Sequence, residues 1–452
     1  MKEVYQYIDD HREEYIEWLR DLCRQPSVAA QNRGMETTAT MVEDYLRKKT
    51  GAVSEQLETS GFPVVFGELD TGAEKTLSFY NHYDVQPEDP IELWESDPFS
   101  ADIRDGKMYA RGVADNKGNL MARICAVHAY TNVYGKPPVN VKFIFEGEEE
   151  IGSVHLEEFA DRYPDKLASD GCIWEFGYKN PNGQLQVSLG VKGMLYVELE
   201  ATGANTDLHS ANAAVIENPA WKLIWALSTL KNAQEEILID GFYDRVHAPT
   251  PIEKKILEDM NYEEDATLSA LDLDGFLLGL SGMSLKEKLL FQPTCTICGI
   301  ESGYTGEGSK TVLPSKAKVK LDFRLVGDQD PNEILDLLKN HLNKNGFSDI
   351  NVTKLSGCHP AKTDPSDPLV STIVNNVERV YSEKPVVLRN TPGTGPMYDI
   401  CQKQGIPAVS LGVGNENSRN HAPNENIAIQ DYIDGIKMMA TIVHEFANDP
   451  EE

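Results

Sequence analysis

Residues 76–84 read TLSFYNHYD, and residues 139–150 read VNVKFIFEGEEE. Each is a short run rich in β-branched or aromatic residues that gives way to acids, the mark of a strand and its end. Between them, Leu120 to Tyr134 has a helical texture. Strand, helix and strand at this spacing predict an α/β layer fold with parallel strand pairs.

Working outward, VVFGEL at 64–69 predicts a further strand. The first fifty residues predict two helices. Ile8, Tyr15, Ile16, Leu19 and Leu22 recur at helical spacing before the RQPSV stop, and Glu36 to Lys49 ends at Gly51. Near Gly193 the texture changes. MLYVELEATG alternates as a half-exposed antiparallel strand does. Asn218-Pro219 then starts a helix whose apolar face is read as Trp221, Ile224, Trp225 and Leu227. An acidic, helical stretch follows at 252–292. After it come the strands CTICGI and KAKVKLDFRLV, a helix capped by Asp330-Pro331, and the strand INVTKLSG. This order predicts an inserted α+β, ferredoxin-like lid and dimerisation domain over 193–360. It splits a catalytic α/β domain into 1–192 and 361–452, whose second part carries LVSTIVNNVERVY, IPAVSLGVG and a final amphipathic helix. The expected fold class is therefore a mixed sheet flanked by helices, with that domain inserted.

Composition narrows the function. The chain has 452 residues, with 42 Lys plus Arg against 72 Asp plus Glu, a net charge of −30. Hydrophobic residues at 40% supply packed cores and exclude a disordered or fibrous protein. So negative a surface repels phosphate backbones and anionic lipids, which argues against nucleic acid and membrane as partners. The charged N-terminal twenty residues carry no secretory signal. The seven scattered cysteines read as reduced thiols, so a cytoplasmic location is expected.

Acids and histidines fall at strand ends. His82 and Asp84 close TLSFYNHYD, two apart and so on one face of an extended strand. Asp115 opens the next helix in RGVADNKGN. Glu148, Glu149 and Glu150 follow VKFIFEG, Glu175 ends CIWEF, and His421 follows AVSLGVG in NHAPNE. In open α/β sheets, ligands bind beyond the carboxyl ends of strands. Each residue alone has an ordinary structural explanation. Together they supply what a two-metal site needs, since imidazole and carboxylate suit zinc and one carboxylate can bridge two ions.

These motifs carry a resemblance along nearly the whole chain. It is similar to the two-zinc metallopeptidases of the carnosinase, carboxypeptidase G, aminoacylase and DapE/ArgE deacylase family. NHYDVQP resembles H-x-D-V-x-P, YARGVADNKG resembles G-R-G-x-x-D-x-K-G, and EEIGS resembles E-E-x-G-S. The segment GIESGYTGEGSKTVLPSKAKVKLDFRLV resembles the carnosinase-like dipeptidase branch in particular. The resemblance implies that His82 and Glu175 bind one zinc, that Glu150 and His421 bind the other, and that Asp115 bridges them. Manganese or cobalt suits the same donors. It also implies that Asp84 orients His82 and that Glu149, rather than Glu148, is the general base. His209, in TDLHSAN, would donate to the developing oxyanion, and Arg324, in DFRLV, would grip a substrate carboxylate. The dipeptidase branch commonly has Asp where this chain has Glu175.

The implied activity is metal-dependent hydrolysis of an amide bond in dipeptides or short peptides by a homodimer. An N-acyl-amino-acid deacylase with the same site is the nearest alternative. A catalytically silent metal-binding protein of the same fold is the alternative of another class. Three further motifs read as structural. Gly303 to Thr311 misses a phosphate loop by one residue and precedes a strand. Cys295 and Cys298 lack a second pair and are expected as buried thiols. No calcium-binding D-x-D-x-D-G loop is present.

Overall fold

The computed structural model describes residues 1–391 and 393–448. The chain divides into two compact units. The first is Met1–Gly190, Lys362–Asn390 and Pro396–Glu452; the second is Val191–Ala361 with the short segment Thr391–Gly395.

The first unit is built on an eight-stranded mixed sheet. Its strands are β1 (Val53–Leu57), β2 (Val64–Leu69), β3 (Thr76–His82), β4 (Asn140–Glu146), β5 (Gly171–Trp174), β6 (Gln186–Ser188), β7 (Val386–Leu388) and β8 (Ala408–Ser410). They lie in the order β1-β2-β4-β3-β5-β8-β6-β7. β3 runs parallel to both β4 and β5, and β5 runs parallel to β8. Both β3 and β4 are buried after their first residue, on both faces, as strands in the middle of a layered α/β fold are. Phe79 stacks on Phe143 and Tyr80 on Trp174 across neighbouring strands, fixing register through ring contact. Helix Gly118–Tyr134 is buried around most of its circumference and packs against Ile429–Glu445. An internal helix has this all-round apolar character.

Parallel strands end on the same edge. In register, His82 stands opposite Glu146, and Ser410 opposite Trp174. The segments leaving β3, β4, β5 and β8 therefore emerge together, and they carry Asp84, Glu149 and Glu150, Glu175, and His421. At the N-terminus the first expected helix is two, Lys2–Asp10 and Arg12–Arg24. His11 lies between them with non-helical ψ, and its Nδ1 donates to Tyr7 O at 2.8 Å, capping the first. The helix Met35–Tyr45 widens at Leu46–Thr50 and stops at Gly51, which has φ 77°.

The second unit holds a four-stranded sheet in the order 294–302, 316–325, 193–202, 351–358, with every neighbouring pair antiparallel. The helices Pro219–Leu230 and Pro331–Lys344 connect the strands in the split βαβ pattern of a ferredoxin-like layer. Their N-caps are those expected: Asn218 accepts from Ala220 N at 2.8 Å and Asp330 from Asn332 N at 2.7 Å. Leu195, Val197 and Leu199 pack with Leu223, Ala226, Leu230 and Leu338. This corrects the expected face of the first helix at three of its four residues; Leu227 does pack against the core. Trp221, Ile224 and Trp225 are 55%, 44% and 53% exposed. The helix has two apolar stripes, and the smaller side chains at 223, 226 and 230 face the sheet.

The 252–292 stretch forms three helices, Pro251–Asp259, Glu264–Leu271 and Gly282–Phe291, with a small core of Leu257, Leu290 and Phe291. Cys295 is buried but Cys298 is exposed, against the expectation of two buried thiols. A register shift between Ile297 and Gly299 removes Cys298 from simple alternation. Among the described residues no helix is long and apolar enough to cross a membrane.

Candidate metal centre

His82 is the last residue of β3 and is fully buried. Its Nε2 lies 3.1 Å from Asp115 Oδ1, 3.7 Å from Glu175 Oε2 and 4.0 Å from Glu149 Oε2. Its Nδ1 faces Asp84, 3.3 Å from Oδ1 and 3.1 Å from the backbone carbonyl. Asp84 also accepts the N–H groups of Glu149 at 3.3 Å and Glu150 at 3.0 Å. One buried carboxylate thus sets both the ring of His82 and the start of the glutamate turn, the kind of support that orients a ligating histidine.

The second histidine, unlike the first, is exposed, with 54% of its side chain accessible. His421 Nε2 lies 3.2 Å from Asp115 Oδ2 and 3.1 Å from Glu150 Oε2. Asp115 therefore offers one oxygen to each histidine. The geometry divides into two half-sites, His82 with Glu175 and His421 with Glu150, sharing Asp115. Potential metal-binding atoms of His82, Asp115 and Glu150 all lie within 4.8 Å of one another.

The surrounding chain fixes these groups. Asp115 interrupts the helical turn Val113–Lys117 with φ −128° and ψ 85°. Asn420 Nδ2 donates to Asp115 Oδ2 at 3.0 Å, and Gln86 Nε2 to Glu150 Oε2 at 2.9 Å. The backbone carbonyl of Glu175 accepts from Asn116 Nδ2 at 3.0 Å and Asn81 Nδ2 at 3.2 Å. The three consecutive glutamates diverge. Glu148 is engaged by His155 Nδ1 at 2.9 Å and by the N–H groups of Phe62 and His155. Glu150 faces His421, and Glu149 is left facing His82.

Crowding of acids distorts their protonation. Burial, then the charge of Glu175, raises Glu149 well above the usual carboxylate range. Burial pushes Glu175 up to about 8 and raises Glu150 as well. Hydrogen bonds to Asp115 and Glu150 lift His421 to about 10. Burial works against a charged His82, but Asp115 and Asp84 raise it well above its ordinary value. Burial would likewise raise Asp115, yet the two histidines hold it far below its usual range. Apart from Asp115, these groups favour their protonated forms, and a bound cation would displace those protons. Oε1 of Glu150 and Oε2 of Glu175 are buried without a hydrogen-bond partner, one in each half-site. Unpartnered carboxylate oxygens beside neutralisable imidazoles fit divalent, borderline metals such as zinc.

His209 and Arg324 belong to the second unit. His209 is exposed and caps the turn Ser210–Ala214, its Nδ1 accepting from Ala211 N at 3.1 Å. Arg324 donates through Nε to Asp322 Oδ2 at 3.0 Å and through Nη1 to Thr394 Oγ1 at 2.6 Å. Burial, then the charges of Arg324 and Lys288, depresses Lys192 to about 8. Sequence reasoning missed Gln86, Asn420, Thr394 and Glu425. Glu425 lies within the quoted NHAPNE, but an acid four residues past a histidine gives no periodic signal.

This chain resembles known proteins along nearly its whole length. The Cys-Gly metallodipeptidase of Schizosaccharomyces pombe is 28% identical over 99% of this chain and 98% of its own. The Beta-Ala-His dipeptidase of Homo sapiens is 27% identical over 99% of this chain and 93% of its own. The crystal structure of an M20 family metallo-carboxypeptidase from Sulfolobus solfataricus superposes with a TM-score of 0.92 at 40% identity, covering 96% of this chain and 99% of that one. Human carnosine dipeptidase 1 gives 0.81 at 27% identity, covering 99% and 98%. The profile of peptidase family M20/M25/M40 matches residues 78–445, and the chain belongs to that family.

Proposed function

We propose that the protein is a metal-dependent peptidase that hydrolyses the amide bond of dipeptides or short peptides bearing a free carboxylate. The observation that carries this reading is the placement of two histidines on opposite oxygens of Asp115, each with one further carboxylate. His82 and Glu175 would hold one zinc, Glu150 and His421 the other, and Asp115 both. Such ions, zinc or in their place manganese or cobalt, supply Lewis acidity and lower the pKa of water toward about 7.

The chain's own residues then do the following. Asp84 holds His82 through Nδ1 and keeps Nε2 turned to the centre. Glu149, raised in the metal-free protein by burial and by the charge of Glu175, would be ionised once cations neutralise its acidic neighbours; it then takes a proton from the attacking water and returns it to the leaving amine. Arg324, already braced by Asp322 and Thr394, pairs its planar fork with the substrate carboxylate. His209 keeps Nε2 free of its capping bond and donates to the carbonyl oxygen as charge develops there.

Glu175, where the dipeptidase branch commonly has Asp, favours a second reading at the same centre, in which N-acyl amino acids are cleaved. One assay separates them and tests both. Xaa-Xaa dipeptides, tripeptides and N-acetyl amino acids are offered to protein of known metal content, before and after exhaustive chelation. Dipeptide hydrolysis that disappears on chelation and returns with zinc, cobalt or manganese is the expected result. Full hydrolysis by demonstrably metal-free protein would sink the proposal. The exposed Trp221, Ile224 and Trp225 support a homodimer formed through the second unit, since so large an apolar patch on a helix is ordinarily covered. Seven free cysteines support a reducing, cytoplasmic setting.

A further inference from the structure

We propose that Glu425 is the positioning residue of the metal centre, locking the loop of Asp115 to the loop of His421 before any ion binds. The inference rests on the metal-ligand reading above.

Glu425 is fully buried. Its Oε1 accepts the N–H groups of Ala114 at 2.9 Å and Asp115 at 3.0 Å. Its Oε2 accepts the N–H of Gly112 at 2.9 Å and Nη1 of Arg111 at 2.7 Å. Four donors from residues 111–115 thus converge on one carboxylate. They need it, because N–H groups at the start of a helical turn such as Val113–Lys117 have no partner within the turn. The carboxylate's two oxygens are taken up by these donors, so it is no metal ligand.

Glu425 also belongs to the loop of His421. In that loop Arg419, His421 and Asn424 adopt φ values of 57°, 59° and 61°. Such conformations persist in non-glycine residues only where neighbours over-determine them. The neighbours are present. Asn424 Oδ1 accepts from Glu95 N at 2.9 Å, and Asn426 Nδ2 donates to Asn417 O at 2.9 Å. Beyond it, Asn426–Ala428 pairs antiparallel with Lys107–Tyr109, bringing the two loops side by side. One side chain therefore ties two ligand-bearing loops whose contact spans 310 residues of sequence. Arg111 compensates its charge and lies over the ring of Trp94 at 5.3 Å.

The test uses cobalt(II), read by competition with a chromophoric chelator and by its visible spectrum. Glu425→Gln replaces one acceptor oxygen by an NH2 group, which faces two N–H donors whichever way the amide turns. Cobalt affinity should fall by about 10–100-fold and the spectrum should change, as when the support of a metal ligand is removed. If this variant does not fold, Arg111→Met with Glu425→Gln removes both buried charges together and carries the same comparison. A third measurement needs no variant. In metal-free wild-type protein the amides of Gly112, Ala114 and Asp115 should already resist hydrogen exchange. A folded variant with unchanged cobalt affinity and spectrum would overturn the inference. So would amides that gain protection only when cobalt is added. Wild-type protein that binds no cobalt would overturn the metal reading itself, and this inference with it.

Discussion

Glu148 pairs with His155, Oε2 to Nδ1 at 2.9 Å, and so turns away from the histidines of the proposed metal centre. Of three consecutive glutamates only Glu149 and Glu150 remain to face it, and only Glu150 contacts His421. The three alanine variants should therefore fail in three different ways. Glu149→Ala should lose about 10²–10⁴-fold in kcat while retaining both ions. Glu150→Ala should lose metal. Glu148→Ala should keep its turnover and lose about 1–3 kcal/mol of stability, because His155 and two backbone N–H groups lose their acceptor. Metal content, kcat and thermal unfolding of the three variants check this. A metal-loaded but inactive Glu148→Ala would move the base by one position.

The protonation pattern sets the sign of a pH effect. Glu175 is raised from its ordinary 4.5 to about 8, and His421 from 6.5 to about 10. In both cases the folded, metal-free protein holds a proton that the unfolded chain has released. Folding stability then falls as pH rises, across 4.5 to about 8 for Glu175 and across 6.5 to about 10 for His421. Metal binding should show the opposite trend, tightening with pH because the ions displace those protons. Thermal unfolding of chelated and metal-loaded protein between pH 5 and pH 9, on the order of the range set by these values, checks both signs. Metal-free protein that grew more stable with pH would contradict the proton count.

Arg324 sits two residues from Asp322 on one face of its strand, held at Nε by that carboxylate and at Nη1 by Thr394. A lysine keeps the charge but loses the fork. Arg324→Lys should weaken substrates with a free carboxylate by about 1–3 kcal/mol, the scale of a charge-assisted hydrogen bond, and spare their amidated counterparts. Michaelis constants for matched acid and amide substrates read this out. An equal effect on both would contradict the clamp.

The strand ends were legible because a buried parallel strand is a continuous apolar run, and a carboxylate at its end stands out against it. The caps at Asn218 and Asp330 were legible because capping is local. What could not be read depended on long-range contact. Helix Pro219–Leu230 has apolar residues on two stripes, and only the sheet it meets decides that Leu223, Ala226 and Leu230 turn inward. The break at His11 accompanies a hydrogen bond from its ring to Tyr7 O, which hydrophobic period does not register. Glu425 acts on residues over three hundred positions away and looks in sequence like any acid beside an asparagine.

The last prediction concerns assembly. His209 belongs to the second unit, whereas His82, Asp115, Glu149, Glu150, Glu175 and His421 belong to the first. Its Nδ1 is held by the backbone, so Nε2 is the free end. If the homodimer proposed above lends each His209 to its partner's centre, Glu149→Ala and His209→Ala should each be nearly inactive alone. Unfolding and refolding an equimolar mixture exchanges subunits. Each mixed dimer then has one site with both defects and one site with neither. With random pairing half the dimers are mixed, so roughly a quarter of wild-type activity should return. If His209 instead serves its own chain, every site keeps one defect and activity stays at the single-variant floor. That floor, observed in a protein shown to be dimeric, would refute the shared site while leaving the metal centre untouched.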